Sequence, residues 1–295
     1  MGKSLQLVSD TLDTSIDLYS WLAGVDVDGF EAMAGITGFG FPNVANQWFE
    51  GAGDGSTYRG TRVLAKDIEL PLRMQGKDRE TLNNQISQLA RMFDPENGPV
   101  QLVYGMPDDD IWYMSIRREG GGDWVRGVES NRNRWIKTVF SLRAGDPYWT
   151  RDRPEGFIVR QDTSGRGLLV GGYLAKMLLS RAAAFGSLTV ENIGDAKAWP
   201  LWTITGPLDR ITLTGARGEV IDWVGTLSGS QGLIIDAQAG TVVDFTGANR
   251  YDGLAPAPNF WPIRPGSSVV SVTGTGVTSG SAIQCSWKPR RWAVI

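Results

Sequence analysis

The residue types that most often carry out chemistry near neutral pH are almost missing from this sequence of 295 residues, which has no histidine and one cysteine, Cys285. Imidazole is the usual general base, proton shuttle and metal ligand. Its absence excludes Ser-His-Asp and Cys-His nucleophiles, and zinc sites that need His. A single thiol can form neither an intrachain disulfide nor a thiolate cluster. Acid–base work would fall to carboxylates, and a glycosidase needs two of them roughly 5–10 Å apart in a cleft, a spacing that linear sequence does not show. Asp236 closes an apolar run, where an acidic residue more simply opens a turn. Asp108-Asp109-Asp110 has the charge to ligate a hard cation but reads better as a solvated hairpin tip. Asp26-Val27-Asp28-Gly29 is a fragment of a calcium loop without its downstream ligands, hence a turn. Gly165-Arg166-Gly167 with Gly171 is spaced wrongly for a dinucleotide fingerprint, and no G-x-x-x-x-G-K-[ST] run occurs. No catalytic residue, cofactor or metal is expected.

Two constellations remain. Residues 117–153 hold eight Arg and one Lys against five acids, with Trp124, Trp135, Tyr148 and Trp149 interleaved. A single-strand nucleic-acid groove has that composition. So does a protein interface, because the planar guanidinium fork suits carboxylates and aromatic faces. A net charge of −3 weighs against a general polyanion surface and leaves interface or ordinary surface as the first reading. The second constellation is tryptophan: Trp199, Trp202, Trp223, Trp261, Trp287 and Trp292 fall in the second half. Exposed indoles would stack on sugar rings, whereas buried ones would fill a core.

One helix is legible. Asp78 can accept from the free amides of a first turn, and Leu82, Ile86, Leu89 and Phe93 follow at helical spacing, so a helix is expected over about 78–93, stopped by Asp94-Pro95. Most of the remainder alternates with period two. Ile68, Leu70, Leu72 and Met74 share one face, and Pro71, which has no amide to donate, marks that strand as an edge. Pro99 to Tyr104 and Ile111 to Arg117 read as a hairpin, and Arg134 to Leu142 as a further strand. Alternation stops near Asp146–Pro154, which places a boundary there. Short runs resume at Leu188–Glu191, Trp199–Thr205, Arg210–Thr214, Val220–Val224, Gly232–Asp236 and Thr241–Asp244, at the spacing of an antiparallel sandwich. The fold class is mainly β with one helix: a sheet-rich domain over 1–154, a linker or bridging segment over 155–186, and a β-sandwich over 187–295. The first residues lack the apolar core of a secretory signal, and Lys176 and Arg181 interrupt the apolar run from Leu168 to Phe185, so no membrane insertion is expected.

The order of several segments resembles the distal tail proteins, or minor tail proteins, of long-tailed siphovirus-type bacteriophages, especially those of actinobacteria. Arg91-Met92-Phe93-Asp94-Pro95-Glu96-Asn97-Gly98-Pro99-Val100 follows the helix, and Ala144-Gly145-Asp146-Pro147-Tyr148-Trp149 closes the first domain. Val190-Glu191-Asn192-Ile193-Gly194-Asp195-Ala196-Lys197-Ala198-Trp199-Pro200 opens the second, and Phe260-Trp261-Pro262-Ile263-Arg264-Pro265-Gly266 and Trp287-Lys288-Pro289-Arg290-Arg291-Trp292 lie near its close. The resemblance implies a structural virion protein rather than an enzyme, found at the distal end of the tail and in the host cytoplasm during assembly. Its first domain, barrel-like, would form a homohexameric ring of the tail tip or baseplate, and its second would be a galectin-like sandwich. Partners would be other copies of itself, the tail tube protein, and the hub or tail-associated protein, with the tape-measure protein and DNA passing through the channel. The expected inter-subunit residues are Ile68, Leu70, Pro71, Leu72, Arg117, Arg126, Arg134, Tyr148 and Trp149, the strand over 67–74 extending a neighbour's sheet. The alternative is a carbohydrate-binding adhesion module that contacts the host wall through the Trp-rich sandwich. A carboxylate-dependent hydrolase is a third reading; it needs a cleft pair with one perturbed acid.

Overall fold

A computed structural model describes residues 4–18, 28–106, 110–124, 134–160 and 186–295. The chain divides into two compact units, Met1–Asp152 with Arg291–Ile295, and Arg153–Arg290. The first unit is therefore discontinuous in sequence, and its last five residues follow the whole of the second.

The strands of the first unit are β1 (Ser4–Ser9), β2 (Thr14–Asp17), β3 (Gly29–Ala32), β4 (Val44–Glu50), β5 (Ser56–Val63), β6 (Lys66–Gln75), β7 (Val100–Gly105), β8 (Ile111–Gly121), β9 (Trp135–Ala144) and β10 (Trp149–Arg151). Seven of them form one antiparallel sheet in the order β2-β1-β7-β8-β9-β6-β3, with β10 laid against β8. Period-two alternation sends Leu5 and Leu7, Ile68 to Met74, Leu102 and Tyr104, and Trp112 to Ile116 into a single core. The helix α1 (Arg79–Met92) packs on that core. The Asp78 side chain accepts from the Thr81 amide at 2.7 Å, which satisfies one orphan donor of the first turn. The helix buries Leu82, Gln85, Leu89 and Met92, while Ile86 and Phe93, also expected on the apolar face, pack partly buried against the core.

Two sequence expectations are corrected here. The strand over 67–74 is no edge: β6 pairs with β9 over its whole length and with β3 at Leu72–Gln75. Beyond β3 the chain still covers it, since Met33 donates to the Pro71 carbonyl and Thr37 to that of Glu69. In a strand a residue's amide and carbonyl point the same way, so the missing Pro71 donor faces a segment that needs none from it. Asp110, read as part of a solvated tip, faces inward. It accepts from Trp112 Nε1 at 2.9 Å and forms an ion pair with Arg151. Residues 107–109 of that tip lie outside the described residues.

The second unit is a β-sandwich. It contains β11 (Glu155–Arg160), β12 (Gly186–Asn192), β13 (Leu201–Thr205), β14 (Leu208–Thr214), β15 (Val220–Leu227), β16 (Gly232–Asp236), β17 (Thr241–Asp244), β18 (Gly266–Thr275) and β19 (Ala282–Trp287). A sheet ordered β11-β19-β13-β16-β17 and one ordered β12-β18-β14-β15 supply a common core. The start of the segment expected to bridge, 155–186, is the strand β11 of this unit; 161–185 lie outside the described residues. At the other end, 291–295 belong to the first unit, not to the sandwich.

Candidate interaction surface

Within the first unit one element has no sheet to join. β4 and β5 pair only with each other, across the turn Gly51-Ala52-Gly53-Asp54-Gly55, and every residue of β4 is exposed. This arm presents Trp48, Phe49 and Tyr58, with Val44 at its base and Phe41 just before it. Trp48 and Tyr58 are directly opposite in register and meet edge to face at 5.4 Å. Arg59 stands over Phe49 at 5.2 Å. A hydrogen-bonded chain of Tyr58, Thr61 and Asn46 crosses the same face. An isolated two-stranded hairpin is marginal in water, and large aromatic rings on it mark a surface meant to be covered.

The root of the arm is held much more firmly than its length. Leu64 donates to the Asn43 carbonyl at 2.9 Å, closing the two strands at their base. Phe39 packs on the core, stacked on Trp149 at 5.4 Å and edge-on to Tyr104 at 5.6 Å. Lys66, next after the arm, is buried and points its ammonium at two carbonyls, Gly40 at 2.8 Å and Trp292 at 2.9 Å. Desolvation there lowers its pKa to about 8. The segment 291–295 completes the root. Val294 is buried in the core and donates to the Phe39 carbonyl at 3.1 Å, Trp292 meets Tyr148 edge to face at 5.0 Å, and Arg291 lies 4.4 Å from the centre of the Trp112 ring.

The residues expected at an interface are distributed differently. Ile68, Leu70, Leu72 and Trp149 are buried inside the unit, so their side chains serve its core and are unavailable to a neighbour. Pro71 is half-buried, Tyr148 packs on Trp292, Arg117 and Arg134 are exposed, and Arg126 lies outside the described residues. The arm was missed, although an Ala/Gly/Asp turn between two aromatic, β-branched runs was there to be read.

Two arginines of the basic stretch, and one that faces it from β6, are paired within the unit. Arg143 pairs with Asp67 and Glu119, Arg151 with Asp110, and from β6 Arg73 pairs with Glu31 while sharing the Trp135 ring with Lys137. A nucleic-acid groove would instead leave such cations free for phosphate.

Nothing described assembles acid–base chemistry. Asp236 accepts from the amides of Gln238 and Ala239 and opens a turn. Asp222 is held below the usual carboxylate range by its hydrogen bond to Arg210, Asp244 by Thr246 and Asp78 by Thr81, the direction opposite to that of a general acid. Burial pushes the Cys285 thiol well up, which makes it inert. Among the described residues no group of three or more Asp, Glu or Cys could hold a metal, and no helix is long and apolar enough to cross a membrane. Trp202, Trp223, Trp261 and Trp287 are core residues of the sandwich and so are not sugar platforms; Trp199 is half-buried, and the half-buried Trp292 belongs to the first unit.

Residues 37–121 match the model of the phage tail protein RIFT-related domain, a span that includes the arm, β6, α1 and β7. No curated protein matches the chain in sequence. Over 98% of its length the chain is similar to 99% of the phage SPP1 Dit protein, described as a paradigm of the hub adsorption apparatus in phages infecting Gram-positive hosts, with a TM-score of 0.67 at 12% identity. It is also similar, over 99% of its length and 98% of the other chain, to a chain of the phage P2 baseplate in its activated conformation, with a TM-score of 0.53 at 10% identity. Residues 37–121 are thus similar to a phage-tail domain, and the chain as a whole has the fold of the SPP1 Dit protein.

Proposed function

We propose that this protein is the ring of the distal tail: copies of the first unit close around an axis, six as the family resemblance implies, between the tail tube protein and the hub. The observation that carries the reading is the arm. It exposes aromatic surface that nothing among the described residues covers, while the strand first expected to join neighbours is already paired on both sides. A patch that meets a different patch on the next copy generates a closed ring when the rotation closes. The internally paired charges around Arg143 and Arg73 fit a wall past which the tape-measure protein and DNA move without being held. The second unit is a galectin-like sandwich whose buried tryptophans give it a packing role rather than a glycan site. Its place is the virion, with assembly in the host cytoplasm.

Light scattering and negative-stain imaging over a range of concentrations test this. The expected result is a closed ring with a central opening and a mass that is a whole-number multiple of the chain's. A chain that stays monomeric both alone and when mixed with its tail tube protein overturns it.

A further inference from the structure

We propose that Lys66 and the segment 291–295 form a latch that aims the arm. The importance of that aim rests on the ring reading above; the latch itself does not. β5 has eight residues, so at ~3.3 Å per residue the arm extends about 25 Å, and among the described residues no other strand supports it along that length. Its direction is therefore set only where it leaves the body. A swing of about 10° at the root displaces the tip of such an arm by about 4 Å, enough to remove aromatic rings from van der Waals contact with a partner.

Three observations place the latch at that pivot. Lys66 Nζ ties Gly40, four residues before the arm, to Trp292, so that one ammonium, itself at the start of β6 just after the arm, holds the segment that leads into the arm, β6 and the segment 291–295 together. Val294 donates to Phe39 one residue earlier and buries its own side chain in the core. Trp292 and Arg291 then fix the segment against Tyr148 and Trp112. A lysine is costly to bury without a carboxylate, and two carbonyls are weak recompense unless the geometry they fix is useful. Lys66 is thus a positioning residue: it touches no partner, but it orients the element that does.

The test measures arm direction in the full chain. Spin labels are placed at Asp54→Cys on the arm's turn and at Asn84→Cys on the exposed side of α1, where both native residues are exposed; Cys285 is buried and stays unlabelled. Labelled protein is diluted into unlabelled protein so that only distances within one copy are read. The distance distribution should be narrow in the otherwise unaltered chain and in Leu7→Ala, a change in the same core at a residue that makes none of the latch's hydrogen bonds or ring contacts. It should broaden by about 4 Å in Lys66→Met and in Val294→Ala, as the lever above gives. An unchanged distribution in both latch variants overturns the proposal. So does broadening in Leu7→Ala to the same extent, which would report general loosening, or a distribution in the unaltered chain as wide as in the variants. If the latch variants broaden as expected but no ring forms from the unaltered chain, the ring reading fails and the latch stands.

Discussion

Replacing Trp48 with serine isolates the role of the arm, because the side chain is removed from a place where the folded monomer makes little use of it. Trp48 is 55% exposed, and its main contact is the edge-to-face pair with Tyr58. An indole that can bury up to ~250 Å² keeps roughly 140 Å² of surface free, which at ~25 cal/mol per Å² is about 3 kcal/mol if a neighbour covers it. Part of that is offset by ordering the arm, so about 2 kcal/mol per interface, or roughly thirtyfold in the association constant, is the expected loss. The monomer should lose only about 0.5–1.5 kcal/mol, the value of the aromatic pair. Sedimentation velocity as a function of concentration reads the first effect, and urea unfolding the second. The ring of Trp48→Ser should come apart at concentrations where the unaltered ring persists, with the unfolding midpoint nearly unmoved. Equal persistence of both rings on dilution would show that the arm lies outside the interface and would refute the reasoning.

Three other outcomes follow from particular side chains. Lys66 has a pKa of about 8 in the folded chain against 10.5 ordinarily, so the unfolded state holds the extra proton between these values and stability rises as pH climbs from about 8 towards 10.5. The rise has an upper bound of about 3 kcal/mol at 1.36 kcal/mol per pH unit. Urea denaturation at several pH values should show it in the native chain and not in Lys66→Met, and parallel curves for the two would contradict it. Gly121 has φ of +72°, and a Cβ there would lie 2.1 Å from the Val139 carbonyl oxygen, so Gly121→Ala should cost more than ~1 kcal/mol, read as a lowered Tm; an unchanged Tm would show that β8 and β9 cross less closely. Asp78→Ala should lower Tm at neutral pH and converge on the native chain in acid, since the Thr81 hydrogen bonds hold the carboxyl pKa down and their benefit disappears as pH falls through it. A gap that does not close in acid means the cap is not what Asp78 provides.

Much of this architecture is local, and what is local was legible. Asp78, Leu82 and Leu89 mark α1 because capping and helical spacing act within a few residues. Short alternating runs mark six of the nine described sandwich strands; β11, β18 and β19 fall outside them, β18 because Ser and Gly dilute the Val270 and Val272 pattern. Pro71 misled because a proline states only that no donor is needed there, while the segment that covers the strand, Met33 to Thr37, lies far away in sequence. Asp110 misled because its partner Arg151 is equally remote. The arm escaped notice for another reason: its aromatic residues are outside, and hydrophobic patterning presumes that such residues go in. As for the interface, Ile68, Leu70 and Leu72 were chosen for an edge that the fold had already closed.

Because five residues of the first unit lie downstream of the entire sandwich, the core of that unit can be completed only after the sandwich has been synthesised. A nascent chain emerging from the ribosome can fold its seven-stranded sheet early, yet the Gly40 carbonyl lacks its shared partner at Trp292, and the core slot for Val294 stays vacant, until translation has passed the sandwich.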